Sequence, residues 1–382
     1  MTRIVDLIYL SGQLTRVEHL TVLGLAFRWT SLYCGVLLPR VLAPSYRPWR
    51  GRSARYLVTN TRGFKGKLFV LPYAEDLDAS KIHVQAASDV IFLCGGPFSD
   101  FSDPTPLSLR DAFLKIIDYE PLRDRIVINA EEITSSYSFP DHYDNILDFE
   151  TDLAQIVELI ILFSESEGSL AELGAFAMID EIAQRLFVIV RQKHWVARSF
   201  VRLGPLKRIE RKYDREYIFV IDDSDVGMRG DSAAFVDKKA LGALLETPLT
   251  VRLKKPRDPT TFDPTRSGHI IKLIVGLVQE YGALEVAEIG DLLRLLKSER
   301  TVESIRSYLL CAEAVGWLRK LSRGSSDFFI AKKTRLDAAT IPSKPGAKER
   351  NKTRRRLLIR EHWKATDALR HKGITQVFGG TT

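Results

Sequence analysis

The residues of this chain best suited to covalent chemistry lie in one short string, Ser164-Glu-Ser-Glu-Gly-Ser-Leu-Ala-Glu-Leu-Gly-Ala-Phe176. Glu165, Glu167 and Glu172 crowd it with carboxylates. Carboxylates gathered away from water hold their protons to higher pH, which suits them to acid–base or nucleophilic work. Glu172 is the central candidate, with Ser169 three residues before it. The same spacing fits a capping box, in which Ser169 opens a helix and Glu172 answers from the third position; the string alone leaves both readings open. Gly168 is expected to let the chain turn sharply, and Gly174-Ala175 to bring the helix close to a sheet. Glu150 and Asp152, on a preceding helix, either project into the same cleft or form a solvated face.

Positioning these groups requires a scaffold, and the apolar pattern supplies one. Asp89-Val-Ile-Phe-Leu-Cys-Gly-Gly96, Arg125-Ile-Val-Ile-Asn129, Glu158-Leu-Ile-Ile-Leu-Phe163 and Leu186-Phe-Val-Ile-Val190 are short apolar runs of the kind that form fully buried parallel strands. Helical spacing over 107–118, 145–157 and 169–184 separates them. Strands alternating with helices predict an α/β, Rossmann-like domain with right-handed crossovers, and ligands in such sheets bind beyond the carboxyl ends of the strands. The Gly95-Gly96 turn is then placed to bring backbone amides to a phosphate or ribose, or is a plain strand-end turn; Ser99 and Asp100 fall in the same loop. Ser199-Phe-Val-Arg-Leu-Gly-Pro205 follows the fourth strand and is positioned to close a pocket or to form a basic surface loop. Tyr217-Ile-Phe-Val-Ile221 returns to the same domain.

The rest of the chain is organised differently. Residues 1–80 read as a helical extension, with helices over 4–20 and 22–40, a Pro/Arg-rich turn at 44–52 and a strand at 68–71; no chemistry is assigned to it. The α/β domain spans 81–255, and Lys254–Pro264, with three prolines, reads as a linker. Over 256–331, three helices (270–281, 285–293 and 301–314) followed by a hairpin at 316–330 spell a winged helix-turn-helix. Residues 332–382 form a basic tail, helix-prone over 350–369. Residues 331–382 hold 14 Lys and Arg against four acids, a net +10, so the chain's +8 leaves −2 for the first 330 residues. A clustered basic segment is the footprint of a polyanionic partner or of a solvated, disordered tail.

Cys34, Cys94 and Cys311 lie far apart without metal-binding spacing, which offers no disulfide framework and no zinc site and fits a reducing, cytoplasmic setting. No secretory leader is evident. The most apolar stretch, 20–39, carries Arg28, which disfavours a membrane span.

Taken together, Ile91-Phe-Leu-Cys-Gly-Gly96, Glu150, the 165–176 string and Ser199–Pro205 resemble the toxic effector proteins of bacterial retrons, which are themselves similar to nucleoside 2-deoxyribosyltransferases. The resemblance covers roughly 88–225, and the winged helix at 267–331 matches the second domain of many such effectors. Where their E-S-x-G-S-x-A-E-L-G string usually has proline third, this chain has Glu167. The resemblance implies a deoxyribosyltransferase-like enzyme that cleaves an N-glycosidic bond. Glu172 would attack, or stabilise charge at, the anomeric carbon, with Ser169 holding the ribose or the glutamate. Gly95, Gly96, Ser99, Glu150, Glu165 and Gly168 would bind the substrate. NAD is the expected substrate, cut between nicotinamide and ribose rather than used as a redox cofactor, with no metal. The implied partners are a retron reverse transcriptase and its branched RNA–DNA hybrid, which hold the toxin inactive until phage infection; this chain has no YxDD string of its own. Arg306 of the winged helix and Arg354, Arg355 and Arg356 of the tail are expected to meet nucleic acid; the sequence leaves the oligomeric state open, a homo-oligomer among the options. Two alternatives stay open: base cleavage or exchange on other nucleotides or deoxynucleosides, and a DNA-binding regulator that senses a nucleotide.

Overall fold

The computed structural model describes residues 71–87, 89–135, 139–332 and 337–378. The helices expected over 4–20 and 22–40, the turn at 44–52 and all but the last residue of the strand at 68–71 lie outside the described residues. Residues 67–382 form one compact unit.

At its centre stands a five-stranded, wholly parallel sheet. After a short β1 (His83–Val84) come β2 (Val90–Cys94), β3 (Ile126–Ile128), β4 (Leu159–Phe163), β5 (Leu186–Arg191) and β6 (Ile218–Ile221), in the spatial order β3-β2-β4-β5-β6. Every residue of β2, β4 and β5 is buried, as their uninterrupted apolar runs require. The run at 125–129, expected to be equally buried, lies at the sheet's edge, where Ile126 stays exposed because no strand covers its outer side.

Helices cover both faces. Against one pack α1 (Leu109–Leu114) and, further along the chain, α5 (Lys238–Lys254), joining Leu109, Phe113, Leu241 and Leu245 to Leu93 and Phe163. Against the other pack α3 (Ile146–Ala154) and α4 (Glu167–Met178), joining Phe149, Leu173 and Phe176 to Phe92 and Leu162. A short α2 (Ala130–Thr134) follows β3.

The second of these cores continues without a break into the C-terminal third. Here α6 (Ser267–Tyr281) is buried around almost its whole circumference, as a core helix must be when both neighbours are apolar. Around it lie β7 (Thr260–Thr261), β8 (Ala283–Leu284), α7 (Val286–Leu295), α8 (Val302–Ala314) and the hairpin of β9 (Leu318–Arg323) and β10 (Ser326–Ala331). These strands pair antiparallel in the order β8-β10-β9, while β11 (Ala339–Thr340) and β7 flank β1. No described helix is long and apolar enough to cross a membrane.

The basic segment after residue 332 folds back as α9 (Lys352–Thr366) and α10 (Ala368–Phe378). Arg355 corrects the expectation that three consecutive arginines present charge to a polyanion. Its side chain is 1% exposed and bonded to Glu280 at 2.6 Å. Arg356 shares Glu280 at 2.9 Å and adds Asp337 at 2.8 Å, and Arg370 meets Glu288 at 2.8 Å. A buried guanidinium needs a carboxylate, and Arg355 and Arg370 have found theirs inside the fold, while Arg356, 27% exposed, is paired at its margin. Arg354, 73% exposed, still faces solvent.

Candidate active site

After β2 the chain runs outward to the edge strand β3 and then returns across β2 to lay down β4. The crevice beyond the carboxyl ends of β2 and β4 is therefore the topological switch point, where open α/β sheets bind ligands. Two loops meet there: Gly95-Gly96 after β2 and Ser164-Glu165-Ser166 after β4.

Glu165 is the clasp between them. Its carboxylate accepts the backbone N–H of Gly96 at 3.1 Å, Leu109 at 2.8 Å and Arg110 at 2.9 Å. A carboxylate at the start of α1 satisfies N–H groups the helix cannot satisfy itself and meets the positive end of its dipole. This corrects one expectation, since the Gly96 amide is directed at Glu165; Glu165 itself both holds the scaffold and lines a cavity at the ends of β4 and β5. Both glycines are nonetheless required by space. A Cβ on Gly95 would lie 2.7 Å from Cβ of Arg110, and one on Gly96 would lie 2.7 Å from Cβ of Ser108.

The capping alternative for Glu172 does not hold. Ser166 is the N-cap of α4, and its partner in the capping box is Ser169. The Ser169 hydroxyl accepts the backbone N–H of Glu165 at 3.1 Å and of Ser166 at 3.0 Å, and donates to the Ser166 carbonyl at 3.0 Å. At 1% exposure it is sealed into the turn, which corrects its assignment as a group that touches substrate. Gly168 sits in the first helical turn with ordinary backbone angles rather than in a sharp bend, and a Cβ on Gly174 would meet nothing within 4 Å, so neither glycine serves close packing against the sheet.

Freed from capping, Glu172 turns toward the β2 end of the crevice. Burial raises its carboxyl to about 7, with Glu131 pushing the same way and Arg110 and the Cys94 thiol opposing. One carboxylate oxygen, Oε2, is buried without a hydrogen-bond partner. Glu150 comes in from α3, 5% exposed, and forms no hydrogen bond or ion pair with any described residue. Burial, then the charge of Glu172, then that of Glu131 raise it to about 8. The same carboxylates and burial drive the Cys94 thiol far upward, so it stays protonated. Arg110, buried on α1, bonds Glu131 at 2.8 Å and stacks over Phe98 at 4.9 Å.

Such a pair titrates as a unit and holds about one proton near neutrality. It combines one acid with one carboxylate in a partly dry crevice, the pattern used to run acid and nucleophile side by side. Glu131, Arg110 and Cys94 escaped the sequence reading, although Asn129-Ala-Glu131 follows a predicted strand and the strand-end rule pointed there. Asp152 points away, bonded to Tyr143 Oη at 2.9 Å.

A cavity of about 520 Å³ opens at the ends of β4 and β5 beside the same loop, lined by Ser164, Glu165 and Ser166, by Glu167 and Leu170 of α4, and by His194, Ser199 and Val201. The loop at 199–205 thus borders a pocket, but Leu170 and Glu172 are two residues apart, about 200° around the helix, so the Glu172 carboxyl faces elsewhere. Ser99 binds Asp111 at 2.9 Å and receives Lys115 at 2.5 Å, anchoring the loop after β2. Arg306 lies far along the chain on α8, exposed, while the neighbouring Ser307 and Cys311 face Tyr143. Among the described residues no group of three His, Cys, Asp or Glu side chains is arranged to hold a metal ion.

A family model described as STM3845 retron effector protein matches residues 106–320, more than half of the chain. Glu150, Glu165, Ser169, Glu172 and Arg306 fall inside that span. A protein of Escherichia coli retron Ec86, provisionally named a ribosyltransferase/DNA-binding protein, is 29% identical over 149 residues, 39% of this chain and 46% of the relative. A similarly named protein of E. coli retron Ec73 is 38% identical over 69 residues, 18% of this chain and 22% of the relative. The chain spans less than half the length of these relatives.

Proposed function

The chain belongs to the STM3845 retron effector family, and on that premise we propose that it is an N-glycosidase that cleaves NAD, with Glu172 and Glu150 as its working pair. The observation that carries this reading is the pair of raised carboxyls at the switch point, Glu172 lifted by burial and Glu131, and Glu150 lifted by burial and the charge of Glu172. In NAD the nicotinamide nitrogen already bears the positive charge, so the base departs neutral and needs no proton. What the reaction needs is negative charge at the anomeric carbon. Ionised Glu172 supplies it, as nucleophile or as electrostatic partner of the oxocarbenium-like transition state. Protonated Glu150 donates a hydrogen bond to a ribose hydroxyl and keeps a second negative charge from forming beside Glu172. Water then adds to the anomeric carbon, and its proton leaves through the carboxyl pair.

The provisional name of the relatives, ribosyltransferase, favours a second reading in which another base rather than water takes the sugar. In both readings the chain is the toxic member of a retron system, restrained by a reverse transcriptase and its RNA–DNA hybrid. The helices α6, α7 and α8 with the β9–β10 hairpin serve as a winged helix, with Arg306 and Arg354 turned to nucleic acid.

Nicotinamide release from NAD by the purified chain, beside Glu172→Gln and Glu150→Gln, tests the reading. Release by the wild type and a loss of at least a hundredfold in Glu172→Gln are expected. Equal release by Glu172→Gln would overturn the role of that residue, and product carrying an added base in place of free ribose would select transfer over hydrolysis.

A further inference from the structure

At the opposite, amino-terminal end of the parallel strands lies a cavity of about 360 Å³ whose walls carry an excess of positive charge. Arg185 leads into β5, Arg257 follows α5, and Arg266, His269 and Lys272 come from the start of α6, with Lys255 at the side. Against the arginines and lysines the same walls set Glu181 and Asp258, while burial lowers His269 to about 4 and leaves it neutral.

Two of the cations are already balanced. Arg266 bonds Glu181 at 3.0 Å and Asp263 at 3.2 Å, and Lys255 bonds Glu216. The deeper ones make no ion pair with any described residue, although the charge of Glu181 acts on Arg185 and that of Glu158 on Arg257. Lys272 is 3% exposed, donates to the Gln85 carbonyl at 2.9 Å, and makes no ion pair with any described residue. Arg185 gives its N–H groups to the carbonyls of Val157 at 3.0 Å and Glu181 at 2.6 Å, and Arg257 gives one to the carbonyl of Glu158. Carbonyls solvate a cation without neutralising it. Burial, with Arg185 and Arg257 close by, pulls the Lys272 ammonium down to about 7.

The helix sharpens the imbalance. The amino terminus of a helix is positive and favours acids, yet the first turn of α6 contains none. Instead Arg266, His269 and Lys272 recur every third residue along one side. His269 accepts the Asp263 N–H on Nδ1, which leaves its other ring nitrogen to carry the proton. The Gly268 N–H of the first turn is taken by Gln155 Oε1 at 3.2 Å, so the side chains carry the site: two guanidinium forks and a buried ammonium are elements from which phosphate sites are made.

We infer that this cavity is a second ligand site, which takes a phosphoryl group of two or more negative charges from a nucleotide, either free or at the 5′ end of a nucleic-acid strand. Such a ligand would tie α6 to the base of β5, at the end of the sheet opposite the carboxylate pair.

The test is thermal unfolding of the full chain against increasing inorganic pyrophosphate, ATP, and a short DNA oligonucleotide with and without a 5′ phosphate. A saturable rise of several degrees is expected from at least one phosphoryl probe. In Lys272→Met the rise disappears or needs at least ten times more probe, while the ligand-free protein unfolds at a higher temperature than wild type. Glu172→Gln keeps the wild-type rise, which separates this cavity from the proposed catalytic pair, and Arg257→Gln repeats the loss independently. A rise from ATP but from neither oligonucleotide assigns the site to a free nucleotide; a rise from the phosphorylated oligonucleotide alone assigns it to a strand end. No rise from any probe, or an equal rise in Lys272→Met, overturns the proposal.

Discussion

The charge of Glu172 on α4 helps to hold the Glu150 carboxyl on α3 protonated, up to about 8, so the two residues divide one proton near neutral pH. Neither helix produces that state by itself. It arises because both side chains leave their helices toward the same crevice at the end of β2, where little water reaches them.

The proposed chemistry therefore has a pH profile. Activity should rise as pH climbs through about 7, where Glu172 ionises, and fall above about 8, where Glu150 loses its proton. Nicotinamide release measured from pH 5.5 to 9.5 should give a bell. In Glu150→Gln the alkaline limb should vanish while the acid limb remains.

Stability should run the other way. The folded-state pKa of Glu150 is raised from 4.5 to about 8, so between those values the folded chain binds more protons than the unfolded one, and stability falls as pH rises across that window. Glu150→Gln removes the penalty. It should stabilise by roughly 2–4 kcal/mol at pH 8.5 and by almost nothing at pH 4, read from denaturant midpoints at the two pH values.

Glu165→Ala strips three backbone N–H groups of their acceptor and should cost about 2–4 kcal/mol. Glu165→Gln keeps one carbonyl oxygen and should lose about half as much. Urea titration of both variants checks the ordering; a Glu165→Ala chain as stable as wild type would contradict the clasp.

Gly95→Ala should cost about 1–3 kcal/mol, because the new methyl lies 2.7 Å from Cβ of Arg110 on a buried helix. Gly168→Ala, whose new methyl would meet only Ser166 Oγ at an ordinary 4.0 Å, should be neutral or mildly stabilising. Paired melting curves of the two variants make the comparison.

The neighbours Arg354 and Arg355 should separate binding from folding. Arg354→Ala should leave the melting temperature unchanged and lower the salt dependence of nucleic-acid binding by about one ion. Arg355→Ala removes one of the two ion pairs seen at buried Glu280 and should destabilise by about 3 kcal/mol. Calorimetry together with a salt titration of oligonucleotide binding would show both effects.

Much of this was legible in the order of residues. Four apolar runs bounded by glycine or polar residues are enough to specify buried parallel strands, since a strand covered on both faces has no place for a polar side chain. The turn-rich breaks between them set where those strands end, and thus where ligands bind. Glu172, on the helix that follows one such end, and Glu150, on the helix before that strand, were singled out as candidate carboxylates. The basic composition of the last fifty residues was equally plain.

What only the tertiary structure decided is which charges meet. Ser166 rather than Ser169 opens α4, because the loop after β4 is pinned by Glu165 to a helix 56 residues earlier, and that pinning sets the register of the cap. Arg355 is buried and Arg354 is not, because α9 presents one side to Glu280 and the other to water. Glu131, Arg110 and Lys272 gain their character from partners more than twenty residues away in the chain or on other elements. Local sequence determines strands, helices and their ends, since those depend on neighbours along the chain; the ionisation of a carboxylate or an ammonium depends on burial and on charges a few ångströms away in space, and those distances exist only once the chain has folded.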